Sequence, residues 1–275
     1  MPGLHRWIKQ TAGSWAAASF STGLLPANNE KVYFGSYGVG SVIAGLDQSA
    51  VDLDLLQIDP DYPGDIGTSG DPLRIGADEV IVRGYGQLHI TPSVVDFMLV
   101  DSENLVNAVA LYSGMPTRLR IMKGRVGVLN NVTKASLLEM TYRNYPSTDA
   151  ALDIGPIQTS SGVCGTLLME AGLITGPCPV YNGTTSDWFQ TGGRVVITSG
   201  PMSQITAHIA GGAVDWEPTN PDDLTWSTLH LRSGVVDALG GLPDKTLIHL
   251  YEWPKGELLY NASSLAITNP YRMEP

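Results

Sequence analysis

Thr117-Arg118-Leu119-Arg120-Ile121-Met122-Lys123-Gly124-Arg125-Val126-Gly127-Val128 alternates apolar and basic residues, then alternates again in the opposite phase. Side chains on an extended strand change face at every residue, so each half reads as a half-buried strand. The flip of phase requires a bulge or a tight turn at Lys123-Gly124. Upstream, Glu79-Val80-Ile81-Val82-Arg83-Gly84-Tyr85-Gly86-Gln87-Leu88-His89-Ile90 is β-branched and aromatic, and its two glycines suggest a bend. Further strands are predicted at Leu137–Tyr142, Val163–Met169, Arg194–Thr198, Gln204–Ile209, Trp226–Leu231, Leu247–Trp253 and Leu258–Tyr260. A short helix is predicted over Ser102–Ala110, capped by Ser102 and running into a strand at Ala108–Tyr112. No internal repeat is evident. The expectation is an all-β fold: an antiparallel jelly roll or β-sandwich with long loops, one or two short helices and an N-terminal arm.

The organisation expected from this pattern is an arm at 1–30, a sandwich domain at 31–265 and a C-terminal extension at 266–275. Leu4, Trp7 and Ile8 have a brief helical phase, after which Ala12–Gly23 is small and polar with isolated aromatics. Two readings of this arm stand side by side. It latches onto a neighbour through Trp7, Trp15 and Phe20, or it packs on its own domain. The stretch 49–78 holds many aspartates among prolines and glycines and is expected to be a long acidic loop.

Only 16% of the 275 residues are charged, where about 25% is typical. Such a surface suits a protein covered by neighbours, or one that shows Ser, Thr, Asn and Gly to water. The formal net charge of −11 has the wrong sign for gripping a nucleic-acid backbone. No run of eighteen apolar residues occurs and the N-terminus lacks the apolar core of a secretion signal, so no membrane span and cytoplasmic synthesis are expected. Cys164 and Cys178 are expected to be free buried thiols, with a loop disulfide as the alternative. Neither CxxC nor a Cys/His cluster is present, which argues against structural zinc.

The strongest metal candidate is the trio Asp59, Asp61 and Asp65, because hard cations want several oxygen ligands at short spacing. Pro60 and Pro63 interrupt any EF-hand pattern, and a solvated acidic loop is the expected state. Gly35-Ser36-Tyr37-Gly38-Val39-Gly40 contains a GxG without the remaining dinucleotide fingerprint and reads as a turn. His5, His89, His208, His230 and His249 lie far apart in sequence, four of them in strands beside apolar neighbours. No catalytic residue and no cofactor is nominated. Asn131-Val132-Thr133, Asn182-Gly183-Thr184 and Asn261-Ala262-Ser263 match the glycosylation sequon, which matters only outside the cell.

Two stretches carry a family likeness. Leu105–Ile121 resembles the short helix, aromatic strand and glycine kink of picorna-like capsid proteins, and Leu247–Tyr260 is similar in position to their last jelly-roll strand. The resemblance implies an eight-stranded jelly roll in an icosahedral shell: a non-enzymatic virion protein, made in the host cytoplasm and partnered with itself or other virion proteins. The alternatives are a phage tail or decoration protein, and a carbohydrate-binding β-sandwich in which Trp188, Trp216 or Trp253 stacks on sugar faces.

Overall fold

The computed structural model describes residues 3–129, 135–141, 150–154, 163–180, 187–199, 202–219 and 225–274. The chain divides into two compact units, Met1–Thr133 and Lys134–Pro275. Unit 1 holds β1 (Leu4–Arg6), β2 (Gly13–Ser14), β3 (Lys31–Phe34), β4 (Val42–Ala44), β5 (Asp47–Ile58), β6 (Leu73–Val82), β7 (Leu88–Asp101), β8 (Val109–Tyr112) and β9 (Arg118–Leu129). Unit 2 holds β10 (Ala135–Met140), β11 (Ala150–Ile154), β12 (Cys164–Met169), β13 (Leu173–Pro177), β14 (Asp187–Gln190), β15 (Arg194–Ser199), β16 (Met202–Trp216), β17 (Thr225–Asp237), β18 (Lys245–Leu259) and β19 (Leu265–Arg272).

The ladders between these strands are parallel, and the fold is a β-solenoid of about 10 turns. The antiparallel jelly-roll or sandwich expectation is therefore overturned. The physical reason is that a period-2 pattern reports which face of a strand is buried and carries nothing about pairing direction. At Gly124 (φ +98) the phase of β9 flips, but the chain turns a corner there and does not double back. The same strand then joins two walls of one coil.

Registers show the coil directly. In unit 1, Val32, Leu56, Val80, Met98 and Leu119 stack in one buried column, and Phe34, Ile58, Val82, Val100 and Ile121 in the next. In unit 2, Ala207, Leu229 and Leu250 follow Trp188, and Ile209 and Leu231 follow Gln190. Each inward column buries apolar side chains against the coil before it, at a gain of about 25 cal/mol per Å² removed from water. Apart from glycines at some corners, the coils share mainly polarity at matching positions, so a repeat of residue identity is faint.

Corners impose the sharpest local demand. Gly193, Gly212 and Gly234 sit at successive corners of unit 2 with φ of +72, +77 and +87. A Cβ on Gly212 would collide with the Gly193 carbonyl, and one on Gly234 with the Gly212 carbonyl. Both the dihedral and the close backbone approach thus call for glycine.

Three smaller expectations change as well. Residues 102–108 form no helix. Ser102 Oγ donates to the Gly84 carbonyl at 2.6 Å, and Asn104 Oδ1 accepts from the backbone N–H groups of Val106 and Asn107. These local bonds offer the backbone a turn in place of helix. Within the stretch read as an acidic loop, β5 and β6 occupy 47–58 and 73–82 and leave an irregular connection between them. Residues 266–272 form most of β19.

The segment 3–30 closes the first turn of unit 1. β1 pairs with β3, and Trp7 bridges to Phe20. Trp7, Trp15 and Phe20 pack with Phe34 and Tyr62 at ring separations of 5.2–5.9 Å. Trp7 Nε1 and the Tyr62 hydroxyl both donate to the Gly40 carbonyl at 2.8 Å.

Candidate functional site

The outer wall of unit 2 carries one continuous column of rings. Phe189, His208, His230, Tyr251 and Tyr271 are register partners through β14, β16, β17, β18 and β19. Their neighbours on either side in each strand face inward where burial is high, so alternation puts these rings outside. Successive ring centroids lie 5.0, 4.5, 4.5 and 4.7 Å apart with interplanar angles of 10, 9, 6 and 11°. That spacing matches the ~4.8 Å between parallel strands. The rings therefore cover one another's faces and turn their edges, with imidazole nitrogens and phenol hydroxyls, toward water.

A second element adjoins the column. Leu231 pairs with Glu252 and Ser233 with Lys255, so Arg232 alone faces Trp253 and Pro254 across a β-bulge. Bulges re-aim side chains and recur next to working surfaces. Here the guanidinium of Arg232 lies 5.5 Å above the Trp253 ring, and Trp253 is 6.2 Å from His230. Arg232 is exposed and Trp253 half-buried. The registers place Arg232 as an added residue relative to β16 as well, since Ile209 pairs with Leu231 and Ala210 with Ser233.

The surroundings of the two imidazoles disfavour their charged forms. Partial burial pushes the His208 pKa below its ordinary value and Arg232 adds to this, while Asp187 opposes it. His230 is lowered by partial burial, by His208 and by Arg232. In the adjoining column, which runs Thr206, Thr228, His249 and Asn269, His249 Nδ1 has no hydrogen-bond partner among the described residues. The column of rings ends at Tyr271, beside a shallow cleft of about 210 Å³ lined in part by Glu252, Tyr260, Pro270, Tyr271 and Arg272.

The residues nominated from sequence fall elsewhere, with one exception. Trp7, Trp15 and Phe20 are only 0, 3 and 1% exposed, inside unit 1. Asp59 accepts from Gln57 Nε2, Asp61 from the Ser36 N–H and Asp65 from the Gln87 N–H, so the trio is spent on separate local bonds. Among the described residues no group of three His, Cys, Asp or Glu side chains could hold a metal ion. Cys164 and Cys178 are both buried and form no disulfide, and burial with the neighbouring Cys178 pushes the Cys164 thiol up. Of the three tryptophans considered for sugar stacking, Trp188 and Trp216 are core residues and Trp253 is on the wall. The histidines are not one constellation: His5 is bonded to Glu30 and Thr22, and His89 to Tyr112. His208 and His230 come together only because the coil returns one strand onto the next. Asn261 sits in a turn before β19, accepting from Ser263, while the sequons at 131 and 182 lie outside the described residues.

Comparison with protein-family models, with curated proteins and with solved structures finds no match to this chain.

Proposed function

We propose that the chain is a non-catalytic carbohydrate-binding β-solenoid whose working face is the outer wall of unit 2. The observation that supports this is the bulge that sets Arg232 and Trp253 beside a five-ring column. β14 pairs with β16 without a register shift, and in β17 and β18 the shift comes just past Leu231, where it sets Arg232 opposite Trp253 and Pro254. Sugars present C–H faces and hydroxyl edges together. A half-exposed indole meets the first, and a row of imidazole nitrogens and phenol hydroxyls at strand spacing meets the second. The wall extends through five strands, which suits an oligosaccharide lying along it better than a single sugar.

A glycan array probed with the whole chain tests the reading. Binding to a defined set of glycans is expected, with the signal reduced at least tenfold by Trp253→Ala. An array with no signal for the wild-type chain overturns it.

A structural role in a virion or other particle is the second reading. It is supported by the exposed edge of β19, where Tyr271 is 44% exposed and Pro270 sits as proline does on edge strands, with Tyr260 and Met273, just outside the strand, 45 and 37% exposed. Electron microscopy of the purified protein would show shells, rings or fibres if this reading holds, and lone particles if it does not.

A further inference from the structure

Resting on the carbohydrate-binding reading, we propose that the wall of unit 2 selects acidic glycans, with Arg232 as the carboxylate-binding residue, Trp253 as the adjacent sugar platform and His208 and His230 as auxiliary donors. Three observations support it.

The first concerns Arg232. It is exposed, and no carboxylate among the described residues pairs with it. A guanidinium stacked on a ring keeps its N–H fork in its own plane, directed away from the ring, where a planar carboxylate can accept two parallel bonds. Trp253 holds the fork in place at 5.5 Å and at the same time offers apolar area to the sugar bearing that carboxylate.

The second is the distribution of charge. The chain carries a formal net charge of −11, so a surface without acidic residues has to be arranged. Around the bulge stand Arg232, Lys255, His208 and His230, with Lys255 the register partner of Ser233. On the ring wall Asp187 stands apart at the Phe189 end of the column, while on the second wall Asp215 and Asp237 are register partners and Asp215 accepts from Arg194. A field sorted in this way steers an anion to one wall and away from the other.

The third is the imidazole pair. His208 and His230 lie 4.5 Å apart, covered above and below by Phe189 and Tyr251. The charged or titratable groups that face them are Asp187 on β14, Arg232 on β17, and Tyr251 and His249 on β18. Glu252 alternates to the other face of β18. Only Asp187 favours charge on the pair, and it stands at the Phe189 end of the column. An anion at Arg232 would supply the missing negative charge, and by linkage its binding would draw protons onto the pair. Affinity for an acidic glycan therefore rises as pH falls below about 6.5, the ordinary histidine range.

Isothermal titration of the whole chain against three probes tests this: a hexuronic-acid oligosaccharide, its methyl ester, and the neutral hexose oligomer of the same linkage. At pH 5.5 the acid is expected to bind at least tenfold more tightly than the ester, with the ratio shrinking at pH 7.5. Arg232→Gln, an exposed substitution that leaves the melting temperature unchanged, is expected to bring acid and ester to equal affinity. His208→Gln with His230→Gln is expected to keep the preference but remove its pH dependence. Equal binding of acid and ester by the wild-type chain overturns the acidic selectivity while the carbohydrate reading stands. Failure of all three probes, together with a silent array, removes both.

Discussion

The two units place different residues at equivalent outward positions of the same kind of coil. In unit 1 one outward column runs Tyr33, Gln57, Ile81, Leu99 and Arg120, all half-buried and of no common chemistry. In unit 2 it runs Phe189, His208, His230, Tyr251 and Tyr271. Inward columns are mostly apolar in both, with Gln190 a buried polar member in unit 2. A parallel coil is thus strict about what it encloses and permissive about what it displays, and the ring column of unit 2 is an addition that unit 1 does without. Aromatics in unit 1 serve a different end: Trp7, Trp15 and Phe20 seal its first turn from within.

If that seal is a core element, removing part of it should cost what core tryptophans cost. Trp7→Ala deletes a fully buried indole and its bond to Gly40, and is expected to destabilise unit 1 by about 3–5 kcal/mol. Urea unfolding followed by near-ultraviolet circular dichroism measures it. A change below about 1 kcal/mol would mean that the segment 3–30 is an adherent arm and not part of the core. In unit 2 the corresponding strict position is a corner. Gly212→Ala puts a Cβ at φ +77 and against the Gly193 carbonyl, and is expected to cost about 2–3 kcal/mol.

These two substitutions also mark what was legible in the sequence and what was not. The alternation of Arg118–Val128 did announce strands, and the flip at Gly124 did announce a break in them. What decides between a hairpin and a corner is the partner one coil away, 17 to 29 residues distant, and local alternation holds no trace of it. A trace does exist in Gly193, Gly212, Gly234 and Gly256, each followed within two residues by an apolar residue that opens the second wall. That spacing of 19, 22 and 22 residues is a solenoid signature, blurred because the coils differ in length: Phe189 to His208 is 19 residues, His208 to His230 is 22 and His230 to Tyr251 is 21, to which the bulge at Trp253-Pro254 adds one. The eight-stranded jelly roll that the capsid likeness implied is overturned for the same reason: 109–112, 118–129 and 245–259 are strands of parallel coils. For the site, Trp253 could be named beforehand. The pairing of His208 with His230 could not, since it exists only through the register of β16 on β17.

Breaking the ring column should be costly, but less so than breaking core or corner. Tyr251 has a ring on each face, at 4.5 and 4.7 Å. Each such contact is worth about 0.5–1.5 kcal/mol, so Tyr251→Ala is expected to lose about 1–3 kcal/mol, and the end ring Phe189→Ala about half of that. Gln57→Ala, at an outward position of unit 1, should fall within about 0.5 kcal/mol. Equal losses at Tyr251 and Gln57, measured by thermal unfolding, would show that the column is ornament and that the contrast between the units is one of composition alone.

The smallest effect concerns protons. His208 and His230 in unit 2, and His89 beside Tyr112 in unit 1, all have pKa values lowered chiefly by partial burial. Their native forms bind fewer protons than the unfolded chain, so stability is complete above the ordinary histidine value near 6.5 and declines as pH falls through it. The lowered carboxylates Glu30 and Asp47 act in the same direction, but only below their own ordinary values of 4.5 and 3.8. Among the described residues, the lowered histidines are the groups whose ordinary value lies between pH 7.5 and 5.5. Because water screens half-exposed groups, the loss should stay below about 1 kcal/mol. The unit 2 share should exceed that of unit 1, since charging both stacked imidazoles sets like charges 4.5 Å apart beside Arg232. Melting curves across that interval should flatten in His208→Gln with His230→Gln more than in His89→Gln. The opposite order would mean that Asp187 neutralises the pair before its members repel one another.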